Sequence, residues 1–209
     1  MAFTTIYNNP YHRAIVTPAW VYWDDAFTAE ELEKIVLYCE QFELSFGTVQ
    51  GSESLSVEEA QRIAELHRIS DVKFHERNSD TAWIFDRLNT IIQAANEMYY
   101  GFDLNGYDKF QYTTYESSKR AHYDWHMDLN TAEDQKEMTR KLSLTLCLND
   151  TYEGGLFQIN DGKENKAMNV PTKKGRMIIF PSFMIHKVTP ITKGTRRSLV
   201  VWTLGPKFR

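Results

Sequence analysis

Residues 186–202 read HKVTPITKGTRRSLVVW, and this stretch restricts the fold more than any other part of the chain. Pro190 and Gly194 are typical turn residues, and the β-branched run that follows Arg196 is typical of a strand. We therefore expect a strand that starts near His186 to turn and return as a neighbouring antiparallel strand. In that arrangement we expect Arg196 to lie beside His186, on the neighbouring strand.

The second half of the chain has the pattern of a many-stranded β structure. Short runs rich in β-branched and aromatic residues alternate with turn clusters such as Glu153-Gly-Gly155. The predicted strands cover residues 107–115, 141–148, 156–160, 176–180, 185–189 and 198–204. Such a series predicts a β-sandwich or jelly roll.

The first hundred residues predict helices instead. Two capping boxes, Thr28-Ala-Glu-Glu31 and Ser56-Val-Glu-Glu59, each open an apolar series at helical spacing. A third helix is predicted from Thr81 to Tyr99, with apolar residues recurring on one face. Helices followed by many strands predict an α+β fold in which the helices support the sheets.

Length and composition fit one globular domain. The 209 residues are 42% hydrophobic and 25% charged, which leaves enough apolar side chains for a core. We expect a single domain over residues 1–209, mainly helical over 1–106 and with the catalytic β-core over 107–209. The sequence has no apolar run of membrane-spanning length, and its first residues do not resemble a signal peptide. These properties predict a cytoplasmic protein with no membrane partner.

The net charge of −4 hides an asymmetry along the chain. Residues 1–160 carry 13 basic and 26 acidic side chains, whereas residues 161–209 carry 11 basic and 2 acidic ones. The acidic part would repel phosphates, so a nucleic-acid partner is not expected. The basic end either attracts the acidic part within the fold or offers a surface to an anionic ligand.

His126-Met-Asp128 is the first candidate for a metal site. In an extended segment, residues i and i+2 point to the same side, so an imidazole nitrogen and a carboxylate oxygen can meet one ion. His186 is the best candidate for a third ligand. Two histidines and one carboxylate form the facial triad of non-haem iron(II) oxygenases. A mononuclear zinc hydrolase can use the same residue types, and spacing does not exclude it.

Arg196 follows His186 by ten residues in the sequence. A buried guanidinium in this position offers a bidentate clamp for a carboxylate. The ordinary alternative for a lone arginine in a strand is a salt bridge at the sheet edge. The histidine upstream favours the clamp.

The run after His186 resembles the C-terminal motif of prolyl 4-hydroxylase-like 2-oxoglutarate oxygenases, in which the second metal histidine precedes Val-x-Pro, a Gly, an Arg and a Trp. Residues 141–155 and 115–128 are also similar to this family, and the likeness covers about residues 107–204. The resemblance implies a double-stranded β-helix, a distorted jelly roll, buttressed by N-terminal helices. It also implies Fe(II), 2-oxoglutarate and O2, with ascorbate as a candidate reductant.

The same resemblance assigns roles to single residues. His126, Asp128 and His186 are the implied iron ligands. Arg196 is the implied partner of the distal carboxylate of 2-oxoglutarate, and Ser198 is expected to add a hydrogen bond.

Four further residues complete the predicted site. Tyr115 is expected to face the co-substrate or substrate, and Trp202 to shape the pocket floor. Tyr123 offers an apolar surface to a substrate ring, or alternatively only packs the sheet. Cys147 stands where oxygen-sensing relatives have a tyrosine that helps to hold the distal carboxylate, so we expect Thr145 or Tyr112 to replace that donor.

The implied activity is hydroxylation of an unactivated C–H bond, with succinate and CO2 as co-products. We expect the substrate to be a proline-containing peptide. The alternatives are a small metabolite or nucleobase as substrate, or a catalytically silent metal-binding module, against which the intact triad and Arg196 argue. Residues 129–140 are polar, follow the metal motif directly and are expected to close over the substrate as a flap.

Overall fold

A computed structural model of the chain provides the fold. It describes residues 17–48, 56–129, 138–160, 162 and 167–208. The strands in this part are β1 Val21–Trp23, β2 Ser45–Phe46, β3 Arg68–Ile69, β4 Asp71–Glu76, β5 Lys109–Glu116, β6 His122–His126, β7 Met138–Cys147, β8 Tyr152–Gly154, β9 Phe157–Asn160, β10 Ala167–Asn169, β11 Met177–Pro181, β12 Ile185–Val188 and β13 Ile191–Pro206.

All three predicted helices are present. They are α1 (Ala29–Cys39), α2 (Val57–His67) and α3 (Ala82–Ala95), and a π-helical turn (Asn96–Tyr100) continues α3. The predicted capping box opens α1, because Thr28 Oγ1 accepts from the Glu31 N–H at 3.1 Å and the Glu31 carboxylate accepts from the Thr28 N–H at 2.8 Å. None of the described helices combines the length and the apolar character needed to cross a membrane.

The strands form two antiparallel sheets. The larger sheet has the order β1-β11-β7-β13-β5-β4-β2, with β8 paired to β13 outside this path. The smaller sheet has the order β10-β9-β12-β6-β3. The six strands predicted in the second half of the chain are all present, and β13 is much longer than expected.

Two apolar clusters show how the layers pack. One joins α1 and α3 to the outer face of the larger sheet, through residues such as Ile35, Leu88 and Leu144. The other lies between the two sheets and includes Phe157 and Phe180. The helices therefore cover one face of the larger sheet, and its other face looks toward the smaller sheet. This is the predicted α+β arrangement, with helices buttressing a jelly roll.

The sequence patterns missed the strands of the first hundred residues. β1 and β2 extend the larger sheet at its two ends, β4 lies beside β5, and β3 extends the smaller sheet. β2 and β3 have two residues each, which is too short for any periodic signal, so their pairing is decided by the sheets they join. The single-domain organisation over residues 1–209 remains a prediction.

The expected pairing of the strands that carry His186 and Arg196 is wrong. β12, with His186, lies in the smaller sheet, whereas β13, with Arg196, lies in the larger one. The crossing occurs at Pro190, which has no N–H to offer a strand and whose carbonyl accepts from the Gly155 N–H at 3.2 Å. Arg196 therefore reaches the site from the facing sheet.

Candidate metal centre and co-substrate pocket

The three predicted metal ligands meet at one end of the smaller sheet. β6 and β12 are neighbours, and His126 and His186 are directly opposite each other in their register. Asp128 follows β6 and is held by its N–H, which donates to the Ser182 carbonyl at 3.0 Å. One ligand atom from each of the three residues lies within 4.8 Å of the others. Within the described part of the chain, no second group of His, Cys, Asp or Glu meets this condition.

The distances between the donor atoms fit a single metal ion. His126 Nε2 lies 3.8 Å from Asp128 Oδ1, and His186 Nε2 lies 3.5 Å from Asp128 Oδ2. Atoms that each lie about 2 Å from one ion can be at most about 4 Å apart. Two nitrogens and one carboxylate oxygen form the donor set that a non-haem iron(II) site uses.

The backbone selects the tautomer of both histidines. The Nδ1 atom of His126 lies 2.7 Å from the Asp124 carbonyl oxygen, and that of His186 lies 2.9 Å from the Met184 carbonyl oxygen. A carbonyl oxygen only accepts, so Nδ1 carries the hydrogen in each ring and Nε2 keeps its lone pair. Burial, followed by the charge of His186, lowers the pKa of His126 to about 3. The His126 ring is therefore neutral at physiological pH, as a metal ligand must be.

A hydroxyl pair that the sequence did not predict supports Asp128. Ser143 Oγ on β7 donates to Asp128 Oδ2 at 2.7 Å and lies 3.0 Å from Ser182 Oγ. Burial alone would raise the pKa of Asp128, but His186, His126, Ser143 and Arg140 outweigh it and leave the pKa lowered. The carboxylate is thus held ionised and oriented. The only sign of this support in the sequence is Ser143 itself, a polar residue between the apolar Leu142 and Leu144.

Arg196 lies on β13, in the sheet that faces the triad, and has no acidic partner among the described residues. Its side chain is 2% exposed, its Nη1 donates to Ser198 Oγ at 3.2 Å, and its Nε has no partner among the described residues. Its guanidinium carbon lies 5.5 Å from the centre of the Tyr115 ring. A buried cation with an orphaned donor is suited to an incoming carboxylate.

The neighbouring loops fix the backbone around Arg196. The Asn149 amide donates to the Thr195 carbonyl at 2.8 Å and accepts from the Arg197 N–H at 2.8 Å, so it holds both flanking peptide groups. Gly155 has a φ of +59°, and a Cβ there would lie 3.2 Å from the Arg196 Cδ and also press on Ile191. Glycine therefore leaves room for the arginine side chain.

The two residues proposed to replace the missing tyrosine lie on different faces. Thr145 is buried on β7 and pairs with Val200 of β13, and its alternation with Ser143 turns it toward the smaller sheet. Tyr112 faces the helices, because its hydroxyl donates to Glu40 Oε1 at 3.3 Å. The expectation that Tyr112 serves as the second donor is therefore wrong. Thr145 stays a prediction.

Two of the predicted aromatic residues, Tyr123 and Trp202, lie near the triad. The Tyr123 ring stacks on the His126 ring, with centroids 3.4 Å apart and planes at 10°. Trp202 is opposite Ser143 in the register of β13 and β7, and its buried Nε1 has no partner among the described residues. Tyr123 therefore contacts the triad residue His126. Trp202 pairs with Ser143, whose hydroxyl donates to Asp128. Of the expected flap, residues 130–137 lie outside the described residues.

Comparisons with known proteins agree with this geometry. Residues 110–204 match the model of the 2OG-Fe(II) oxygenase superfamily. A PKHD-type hydroxylase of Psychrobacter sp. (strain PRwf-1) is 38% identical over 85 residues, which are 38% of this chain and 32% of that protein. The match thus spans about a third of the length of that relative.

Solved structures share the whole fold at low identity. A Pseudomonas putida prolyl-4-hydroxylase superposes with a TM-score of 0.67 at 18% identity, over 93% of this chain and 96% of that one. A prolyl hydroxylase from Trichoplax adhaerens, solved with a hypoxia inducible factor peptide fragment, gives 0.70 at 17% identity, over 90% and 84%. These likenesses confirm the double-stranded β-helix.

The β-core of the chain resembles the 2OG-Fe(II) oxygenase superfamily in sequence, and the whole chain resembles prolyl hydroxylases in fold. The His-Asp-His group agrees with this likeness. This family implies Fe(II), 2-oxoglutarate and O2 as cofactor and co-substrates.

Proposed function

We propose that the protein is an Fe(II)- and 2-oxoglutarate-dependent dioxygenase that hydroxylates an unactivated C–H bond and releases succinate and CO2. The observation that carries the proposal is a His-Asp-His group on one sheet together with a buried arginine on the facing sheet, which has no acidic partner among the described residues. A co-substrate with a metal-binding end and a carboxylate end fits between them.

Each residue has a defined task in this proposal. His126, Asp128 and His186 hold the iron on one side and leave its other positions open. Arg196 binds the distal carboxylate, with Ser198 beside it, while Tyr115 and Thr145 line the same pocket and Trp202 and Tyr123 bound the space near the metal. When bound, iron and 2-oxoglutarate supply the oxidising chemistry. The protein orients the co-substrate and excludes water around it.

We further propose a peptidyl proline as the substrate. The support is the kind of protein that the chain resembles: a PKHD-type hydroxylase and two prolyl hydroxylases, one of them solved with a peptide fragment. The exposed aromatic and apolar side chains Trp125, Met127 and Phe183 next to the triad give a peptide an apolar surface to lie on.

The test of the proposal is succinate release from 2-oxoglutarate by protein loaded with Fe(II), with ascorbate as reductant and with or without proline peptides. His126→Ala, Asp128→Ala and His186→Ala should each abolish turnover and iron binding while circular dichroism reports a folded chain. His122→Ala is the matched control, since His122 lies on the same strand and its Nδ1 meets only the Arg120 carbonyl. Full activity in any triad variant, or activity with Zn(II) alone, would contradict the assignment.

A further inference from the structure

Arg68 is a buried cation whose partners are neutral. It is 7% exposed, its Nε donates to Ser70 Oγ at 2.8 Å, and its Nη1 donates to the Thr48 carbonyl at 3.0 Å. Gly47 lies so close that a Cβ there would be 2.7 Å from Nε. The guanidinium is therefore held in one place, and its charge is not neutralised by these contacts.

The position of Arg68 brings this charge next to the metal site. Its guanidinium carbon lies 4.6 Å from the centre of the Tyr123 ring, and the same ring stacks on His126. Only one aromatic ring thus separates Arg68 from a proposed iron ligand.

Arg140 supplies a second cation from the larger sheet. Its guanidinium carbon lies 4.3 Å from the centre of the Trp202 ring, and its Nη1 donates to the Asp128 backbone carbonyl at 3.4 Å. Arg68 therefore lies one ring away from His126, and Arg140 contacts the backbone of Asp128.

Four other arginines of the described chain are paired with carboxylates. The pairs are Arg77–Asp86, Arg87–Glu31, Arg176–Asp24 and Arg197–Glu40. No carboxylate of the described residues forms such an ion pair with Arg68 or Arg140. A buried charge without a counter-charge is unfavourable, so the buried Arg68 beside a binding site indicates a ligand of opposite sign.

We propose that Arg68 and Arg140 bind a carboxylate of the substrate, so that the enzyme acts on an acid. This deepens the proposed function and rests on it, because Arg196 is already assigned to 2-oxoglutarate. Two sources of the carboxylate share this chemistry: an Asp or Glu side chain close to the proline of a peptide, and the α-carboxylate of a free amino acid. An uncharged substrate would leave the Arg68 guanidinium without a counter-charge.

The test compares acids with their amides on the Fe(II)- and 2-oxoglutarate-loaded enzyme. One set of probes is a series of capped peptides with a central proline and with Glu or Gln at each neighbouring position. The other is L-proline against L-prolinamide. In the wild-type enzyme, kcat/KM for the acid should exceed kcat/KM for the matching amide by about tenfold or more in one of the two sets. In Arg68→Gln and in Arg140→Gln, the ratio of acid to amide should fall to about two or less.

A matched control and a binding measurement keep the test decisive. Lys187→Gln removes one cation from β12, but Lys187 lies over the exposed Trp125 ring at 4.6 Å, so this variant should keep the ratio of the wild type. Fluorescence titration of the same probes into Mn(II)-loaded protein gives the ratio of affinities even where a variant has lost turnover. Equal affinity for acids and amides in wild type, or an unchanged ratio in both arginine variants, would overturn the inference. Absence of succinate release in wild type would instead count against the proposed function.

Discussion

Both metal-site histidines donate from Nδ1 to the carbonyl two residues before them. Each hydrogen bond lies within the strand or turn that carries the histidine, so the orientation of the ring is set as soon as that segment forms. The hydroxyl that orients Asp128 comes instead from another strand, β7. The carboxylate is therefore the ligand whose position depends most on tertiary packing.

Removing that hydroxyl should weaken metal binding without removing a ligand. In Ser143→Ala we expect about a 10- to 100-fold loss of Fe(II) affinity, because partners of metal ligands have effects of this size. Isothermal titration with Fe(II) under anaerobic conditions measures it. Ser118→Ala is the control, since the Ser118 hydroxyl contacts only Glu116 on the surface. An unchanged affinity in Ser143→Ala would show that the hydrogen bond does not orient the ligand.

Two adjacent arginines on β13 allow a test of the proposed role of Arg196 in binding the co-substrate. Arg196 faces the sandwich interior, whereas Arg197 donates to Glu40 Oε1 at 2.8 Å on the helix side. Arg196→Ala should raise the KM for 2-oxoglutarate by about tenfold or more, and Arg197→Ala should change it by about twofold at most. Steady-state kinetics of succinate release at varied 2-oxoglutarate provides the comparison. Similar effects in both variants would mean that the guanidinium of Arg196 is not the clamp.

At the scale of elements, α1 stabilises the larger sheet through one face. Ile35 is fully buried against that sheet, while Leu37 on the same helix is 66% exposed. Ile35→Ala should lower the free energy of unfolding by about 2–5 kcal/mol, and Leu37→Ala by about 0.5 kcal/mol or less. Urea unfolding monitored by fluorescence distinguishes the two. Equal losses would indicate that α1 is packed differently from this structure.

The elements also show where sequence reasoning succeeds and where it stops. α1 was predictable because its cap and apolar spacing are local, and the triad was predictable because His126 and Asp128 are two residues apart. The sheet that holds Arg196 was mispredicted, since the chain crosses between sheets at Pro190 and no local pattern encodes that crossing. Ser143, Arg68 and Arg140 were missed because their importance depends on which strands face each other.

At the scale of the whole molecule, the buried side chain of His75 makes the free energy of unfolding depend on pH. It is 5% exposed on β4, stacks on Phe110 with centroids 5.1 Å apart, and its Nε2 has no partner among the described residues. Burial, followed by the charge of Lys73, lowers its pKa from 6.5 to about 4. Between these values the unfolded chain binds a proton at this position and the folded chain does not. Stability therefore falls as the pH falls through this window.

Replacing His75 should remove this part of the pH dependence. The wild type should lose up to about 3 kcal/mol more than His75→Phe between pH 7 and pH 4. Urea unfolding of both proteins across this range measures the difference, with His122→Gln as a partly exposed control. Parallel stability curves for wild type and His75→Phe would show that His75 is protonated in the folded state.

The crossing at Pro190 has a geometric consequence for the choice of co-substrate. The triad belongs to the smaller sheet and Arg196 to the larger one, and facing sheets pack at a spacing of about 10 Å. That spacing is set by the apolar side chains that fill the sandwich, Phe157 and Phe180 among them. In the proposed function, this spacing sets the distance between the metal and the Arg196 guanidinium and so selects the chain length of the co-substrate. We therefore expect a keto acid with one carbon fewer or more than 2-oxoglutarate to reach only one of the two groups.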